Sequence, residues 1–318
     1  MRLPKFIPTI IVPILVLIGS GPTDACASGL LTHDEVAQRT VEEIDGEAYP
    51  DLLSLLQNYP DERDGGSVFP DWGYAILNDA LSLIAHSADF REAYESYVEM
   101  YFPPPYTAAE ERQIVFLAGV VDHQTSDDRF HPYFLVEAME EDGRNEQMIE
   151  LGIDIFTVWE QGQMNETDEW YVPARTIRRV YSLLGYPGVT GAMIVEGMVV
   201  LRAGMHAEQQ AGFLSYLLLR GLLPWTHENY MTYTPGGIED QAAASAWENQ
   251  VTWDSIHGMY TLPALRQPPP HPERSGVVEM GRKLLKEGRI SVPVEYLDDG
   301  SVLIGVPEVR GTAAENSR

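Results

Sequence analysis

Four of the eight histidines, His33, His86, His123 and His131, fall in the first half of the chain, with aspartates interleaved. The series runs Thr32-His33-Asp34-Glu35, then Phe69-Pro70-Asp71, then His86, then His123-x3-Asp127-x3-His131. Imidazole nitrogen and carboxylate oxygen are the ordinary ligands of zinc and its neighbours. Steps of four along a helix stack side chains on one face, so His123, Asp127 and His131 can aim at one point. Ligands drawn from several helices suggest a hydrolytic metal cluster. Singly, each residue has a plainer reading: His33 as a surface neighbour of a helix cap, Asp71 as a turn residue. His206, His227, His257 and His271 lack metal-type neighbours; His206 reads as a core or helix-face histidine.

The elements that must position these residues read as mostly helical. Thr32-x-x-Glu35 has the form of a capping box and puts His33 in a first helical turn. Residues 51–58 form a second helical stretch, and 65–70 read as a loop that delivers Asp71. Helical pattern resumes over 74–84 and 89–100, until Pro103-Pro104-Pro105 stops it. Thr107-x-x-Glu110 opens a helix expected to end near His131, where Pro132 follows. Helices are expected over 145–159, over 173–184 with Pro173 in the first turn, and over 238–256. The long apolar segment 191–223 contains Arg202, His206, Glu208 and Arg220, so it reads as a buried core helix rather than a membrane span.

The ends differ in character. Arg2 and Lys5 precede an apolar run over 6–18, and Ala25-Cys26-Ala27 fits a small-x-small cleavage site. Residues 1–27 therefore read as a secretory signal, which makes the protein secreted or periplasmic and Ser28 its first mature residue. An uncleaved anchor is the lesser alternative, because the run is short for a span of about 20 residues. Cys26 is the sole cysteine, so disulfides play no part. Residues 28–261 form the helical domain and 262–275 a proline-rich linker. In 276–318 a short helix precedes alternating runs at 290–296 and 302–309. Asp298-Asp299-Gly300 between them signals a β-hairpin appendage, followed by a tail. The fold class expected is all-α with that small C-terminal hairpin. The net charge of −27 disfavours nucleic acid and anionic membranes at long range and favours cations.

Several segments carry a family resemblance. Ser28-Gly29-Leu30-Leu31-Thr32-His33, Val68-Phe69-Pro70-Asp71-Trp72-Gly73-Tyr74, Gly119-x3-His123-x3-Asp127-x3-His131 and Trp170-Tyr171-Val172-Pro173 occur in that order. Together they resemble the zinc-dependent phospholipase C family, and within it the catalytic domain of glycosylphosphatidylinositol-specific phospholipase D. The resemblance spans about residues 28–260, and the hairpin lies outside it. It implies two or three zinc ions. Asp71, His86, His123 and Asp127 would hold the first. The amino group and carbonyl of Ser28, with His33, would hold another, bridged by Asp127. The remaining ion would use His131 and a later pair that in the family reads His-x3-Asp or His-x3-Glu. Here the sequence departs, and Glu146-x3-Glu150 is the best counterpart; the same two residues also suit a solvated helix face. A carboxylate in place of an imidazole hardens the site, which leaves the third ion open.

The resemblance implies hydrolysis of a phospholipid or glycolipid phosphodiester, with Asp71 the candidate to orient or deprotonate the water. Transient contact with a membrane surface is compatible with that substrate; oligomeric state is left open. Trp72, Tyr74, Phe130 and Tyr133 could line a cleft or belong to the core. Two alternatives stand beside this reading. One is a single-strand nuclease on the same scaffold, disfavoured by the acidic balance. The other is a degenerate binding protein, motivated by Glu146.

Overall fold

The computed structural model describes residues 29–163, 169–258 and 276–309. The expected signal segment, Ser28, the proline-rich linker 262–275, His271 and the tail from 310 lie outside them.

The chain is an all-α domain with a small C-terminal hairpin. Helix α1 spans Leu30–Glu43, α2 Pro50–Asn58 and α3 Pro60–Val68. A 3-10 turn, Phe69–Asp71, leads into α4 (Trp72–Ala75), α5 (Asp79–Ala85) and α6 (Ala88–Tyr101). Helix α7 covers Ala108–Arg129 and passes through a π turn, Phe130–Leu135, into α8 (Val136–Asp142). Then follow α9 (Glu146–Glu160), strand β1 (Trp170–Val172), α10 (Ala174–Leu183), α11 (Gly191–Gln209) and α12 (Phe213–Leu222). Helices α13 (Pro224–Asn229), α14 (Ile238–Ile256) and α15 (Gly276–Lys286) complete the helical part. Strands β2 to β5 are Ile290–Ser291, Val294–Tyr296, Val302–Ile304 and Glu308–Val309.

Several local expectations are corrected. Residues 65–68 are helical, not loop. Gly65 and Gly66 sit in α3 because neighbouring backbone crowds them: a Cβ on Gly65 would overlap the Tyr171 carbonyl oxygen, and one on Gly66 that of Phe116. The stretch 74–84 breaks at Leu77, which adopts a left-handed conformation (φ 61), so α4 and α5 are separate. Pro132 does not stop α7. It lies in the π turn, whose wider register absorbs the missing N–H donor, and the helical path continues to Asp142. The segment 191–223 is two helices, α11 and α12, separated at Gln210–Gly212. Pro173 is the N-cap residue of α10 rather than part of its first turn.

At Thr107 the capping box forms as read. The Glu110 carboxylate accepts from the Thr107 backbone N–H at 2.7 Å and from its hydroxyl at 2.8 Å. At Thr32 it does not. Helix α1 starts at Leu30, two residues earlier, and Glu35 accepts instead from Arg39 and Gln163. His33 nevertheless lies in the first turn.

The hairpin does not stand apart from the helices. Strand β4 pairs antiparallel with β3 on one side and with β1 on the other, with Trp170 opposite Ile304. Each alternating run splits in two at a proline, Pro293 or Pro307, which has no N–H for the ladder. The outer pieces pair separately as β2 and β5.

A small apolar cluster gathers Ile44, Leu52, Leu56, Val115 and Ala118, and two larger ones make most of the core. One gathers Leu31, Phe69, Trp72, Phe90, Phe116, Val120, Trp170 and Tyr181; the other gathers Val36, Phe130, Phe134, Ile149, Ile153, Phe156 and Leu219. Helix α1 feeds both, and α7 runs from the first into the π turn that supplies Phe130 and Phe134 to the second. His123 and Asp127, between Val120 of α7 and Phe130 of the π turn, therefore sit on the seam where the clusters meet. Trp72, Tyr74 and Phe130 are fully buried and belong to the core, whereas Tyr133 is half exposed.

Candidate metal centre

The centre is assembled by backbone contact between α3 and α7. Gly66 and Gly119 face each other at the crossing, and a Cβ on Gly119 would lie 2.9 Å from the Gly66 Cα and overlap the Arg63 carbonyl oxygen. Only two glycines let the helices come this close. The approach brings the Ser67 carbonyl to 2.6 Å from His123 Nδ1. On the opposite wall, the Ser82 carbonyl lies 2.8 Å from His86 Nδ1. Carbonyls only accept, so each Nδ1 carries a proton, and in the neutral ring each Nε2 presents a lone pair to the centre.

Those two Nε2 atoms are 3.0 Å apart. Two lone pairs at that distance repel unless a proton or a metal ion lies between them. Around them, Asp71 Oδ1 is 3.4 Å from His86 Nε2. Asp127 stands among four imidazoles: its oxygens are 3.4 Å from the Nε2 atoms of His33, His86 and His123 and 3.7 Å from that of His131. The His33 ring stacks on His123 with centroids 3.7 Å apart. His33, His86, His123, Asp71 and Asp127 are all buried.

Three groups have ligand atoms close enough to hold an ion: His33, Asp71 and His123; His86, His123 and Asp127; and His131, Glu146 and Glu150. In the third, His131 Nδ1 lies 3.3 Å from Glu146 Oε1. Glu150 Oε1 is buried with no hydrogen-bond partner among the described residues. Burial, then the charges of Glu146, Asp154, Asp127 and Asp71, push the Glu150 carboxyl well above its ordinary range. A buried, crowded carboxyl of this kind is relieved by a cation. The donor set, imidazole nitrogen with carboxylate oxygen, suits zinc. On these observations the residues fit a metal cluster.

The electrostatics divide the carboxylates. Burial pushes the Asp127 carboxyl up, but the charge and hydrogen bonds of His123 and His33 outweigh it and hold Asp127 well below the usual range. Asp71 is lowered in the same way, chiefly by its hydrogen bond with His86 against burial. Burial depresses His86, yet Asp71 and Asp127 raise it overall; His123 is lowered by burial and by His33.

Sequence reading missed what fixes the first turn of α1. Asp154, on α9, accepts from the Thr32 backbone N–H at 2.9 Å and its hydroxyl at 2.7 Å. It caps a helix far away in sequence and so places His33. Gly29 lies against the same carboxyl, since a Cβ there would overlap it. Glu208 of α11 packs its carboxyl against Asp154, and burial followed by the Asp154 charge raises Glu208 well above its ordinary value. His227 and His257 lie elsewhere, against Glu160 and Tyr106.

A raised carboxyl keeps its proton in the folded chain while the unfolded chain releases it near the ordinary pKa. Stability from Glu208 is therefore present below that value and lost as pH rises through the folded one. Glu208→Gln removes the titration and keeps a donor for Asp154. Thermal unfolding should show the variant melting above the parent at pH 8 and matching it near pH 4. A variant that melts lower at both pH values contradicts this.

No family model matches the chain, and no solved structure matches it. Among curated proteins it is similar to phosphatidylinositol-glycan-specific phospholipase D of Dictyostelium discoideum, 24% identical over 265 residues that cover 76% of this chain and 27% of that protein. The proteins of the same name from Mus musculus and Bos taurus are 25% and 27% identical, each match covering 72% of this chain and 29% of the relative. The chain thus spans less than a third of the length of these relatives. The similarity supports a phospholipase D-like relationship.

Proposed function

We propose that this chain is an exported, zinc-dependent phosphodiesterase whose substrate is a phospholipid or a glycosylphosphatidylinositol-type phosphodiester. The observation that carries the reading is the 3.0 Å approach of the His86 and His123 Nε2 atoms, with Asp127 among four imidazoles. The names of the similar proteins supply the substrate class, and the signal-like segment 1–27 supports export.

Divalent ions bound here would supply positive charge to phosphoryl oxygens and acidify water. The chain's own residues do the rest. Asp127 gathers the imidazoles of α1, α5–α6 and α7 onto one point. Ser67 and Ser82 fix ring orientation through their carbonyls. Asp71, held below the usual carboxylate range, is an ionised acceptor at neutral pH. It suits orienting a water by accepting its hydrogen bond better than removing its proton. The wall that excludes solvent is the buried seam between the two larger apolar clusters, which strengthens each charge interaction inside it.

Ser28, with His33, would complete the ligand set of one ion, and His131, Glu146 and Glu150 would hold another. Glu150→Ala should remove one equivalent of zinc and leave the rest bound, as read by elemental analysis after desalting. Unchanged zinc content would mean that Glu150 is no ligand.

The substrate class is tested by supplying phosphatidylcholine, a glycosylphosphatidylinositol-anchored protein and single-stranded DNA to one zinc-loaded preparation. Hydrolysis of a lipid substrate, with phosphatidic acid or diacylglycerol identifying the bond cleaved, is expected. Cleavage of DNA alone would replace the reading with a nuclease, and inactivity on all three with a binding protein.

A further inference from the structure

Helix α12 exposes an apolar stripe interrupted by a single charge, Arg220. Ser215, Tyr216 and Leu219 form its buried face, while Phe213, Leu214, Leu217 and Leu218 are 43–59% exposed. Their spacing, i, i+1, i+4 and i+5, places them in one stripe. Water-facing helix sides are ordinarily polar, and an apolar stripe of this kind marks an interaction surface.

Charge selects among occupants. Residues 210–225 carry one basic residue, Arg220, and no acid, in a chain of net charge −27. A second copy of the chain would bring two strongly acidic bodies together. A zwitterionic lipid surface carries no net charge to oppose contact. The helix has 10 residues, a length of about 15 Å, half of the roughly 30 Å hydrocarbon core. It suits lying in the headgroup boundary rather than crossing. No helix among the described residues is long and apolar enough to cross a membrane.

Helix α12 packs on the far end of the helix that carries the third ligand group. Phe213 packs its ring 5.3 Å from Trp159, and Tyr216 packs 6.1 Å from Phe156. Both partners belong to α9, the helix that carries Glu146 and Glu150. We infer that α12 is the face by which the protein docks on zwitterionic phospholipid bilayers, seating α9 at the membrane surface. The choice of a lipid occupant rests on the phosphodiesterase reading above.

The test is sedimentation of the whole protein with phosphatidylcholine vesicles, comparing the parent with Leu214→Ser/Leu218→Ser. Both leucines are exposed, so the fold is left intact. Leu183→Ser alters an exposed leucine on α10 and serves as the control. The parent is expected to bind, the double variant to bind at least about tenfold more weakly, and the control to bind like the parent. Phosphatidylserine vesicles should bind more weakly at low salt, the difference shrinking at high salt. Equal binding by parent and double variant overturns the inference. So does a dimer, seen in sedimentation velocity, that the variant dissolves while the parent ignores vesicles. Hydrolysis of a monomeric short-chain phosphatidylcholine, run in parallel, should be equal in parent and variant. Its absence beside intact, stripe-dependent vesicle binding, together with inactivity on a glycosylphosphatidylinositol-anchored protein, would sink the phosphodiesterase reading and leave docking standing.

Discussion

Asp127→Asn is expected to lose bound metal and phosphodiesterase activity together. One carboxylate stands within 3.4–3.7 Å of four imidazole nitrogens that reach it from three parts of the chain. The histidines hold it well below the usual carboxylate range although burial pushes it up. Asparagine keeps the shape, removes the charge and turns one oxygen into a donor. A donor amide aimed at Nε2 lone pairs competes directly with a cation for those nitrogens. Activity should fall by about a thousandfold or more, the scale on which preorganised electrostatic groups act. Zinc content should fall in the same preparation. Circular dichroism with zinc titration separates this from misfolding: a helical but zinc-poor variant is the expected outcome. Full zinc with full activity would remove Asp127 from the centre.

Gly119→Ala should have the second-largest effect, and it acts through the fold. The added methyl has nowhere to go: the Arg63 carbonyl, the Ser67 nitrogen and the Gly66 Cα already occupy its place. All three are backbone, so no side chain can turn aside. Helices α3 and α7 must separate, at a cost of about 3 kcal/mol or more, or roughly 6–12 °C in the melting temperature. Separation also draws the Ser67 carbonyl away from His123 Nδ1 and frees that ring to turn. Zinc affinity should then drop by about 10- to 100-fold, the usual effect of losing a partner that orients a ligand. Gly188→Ala, where a Cβ meets nothing within 4 Å, is the matched control. An unchanged melting temperature for Gly119→Ala would contradict the backbone contact.

The site residues were legible in sequence where local periodicity alone places them. His123, Asp127 and His131 repeat every four residues, and the helix that carries them opens with a capping box whose two members are three apart. Such signals need no knowledge of tertiary contacts. Reading failed where distant partners decide the outcome. Thr32 and Glu35 have the form of a capping box, but Asp154 takes the Thr32 hydroxyl and Arg39 and Gln163 take Glu35. Gly65 and Gly66 suggest a loop, yet they are helical because strand β1 and α7 press on them. Pro132 signals a stop that the π turn absorbs. The capping role of Asp154 and the packed carboxyl of Glu208 depend on contacts between residues far apart in sequence, for which local pattern offers no sign.

The most direct measurement is zinc per chain, by elemental analysis, on protein incubated with zinc and then desalted. Two or three tightly held ions are expected from the three groups around Asp127, His123 and His131. A value near zero would contradict the metal centre, and the buried imidazoles would then be held by protons alone.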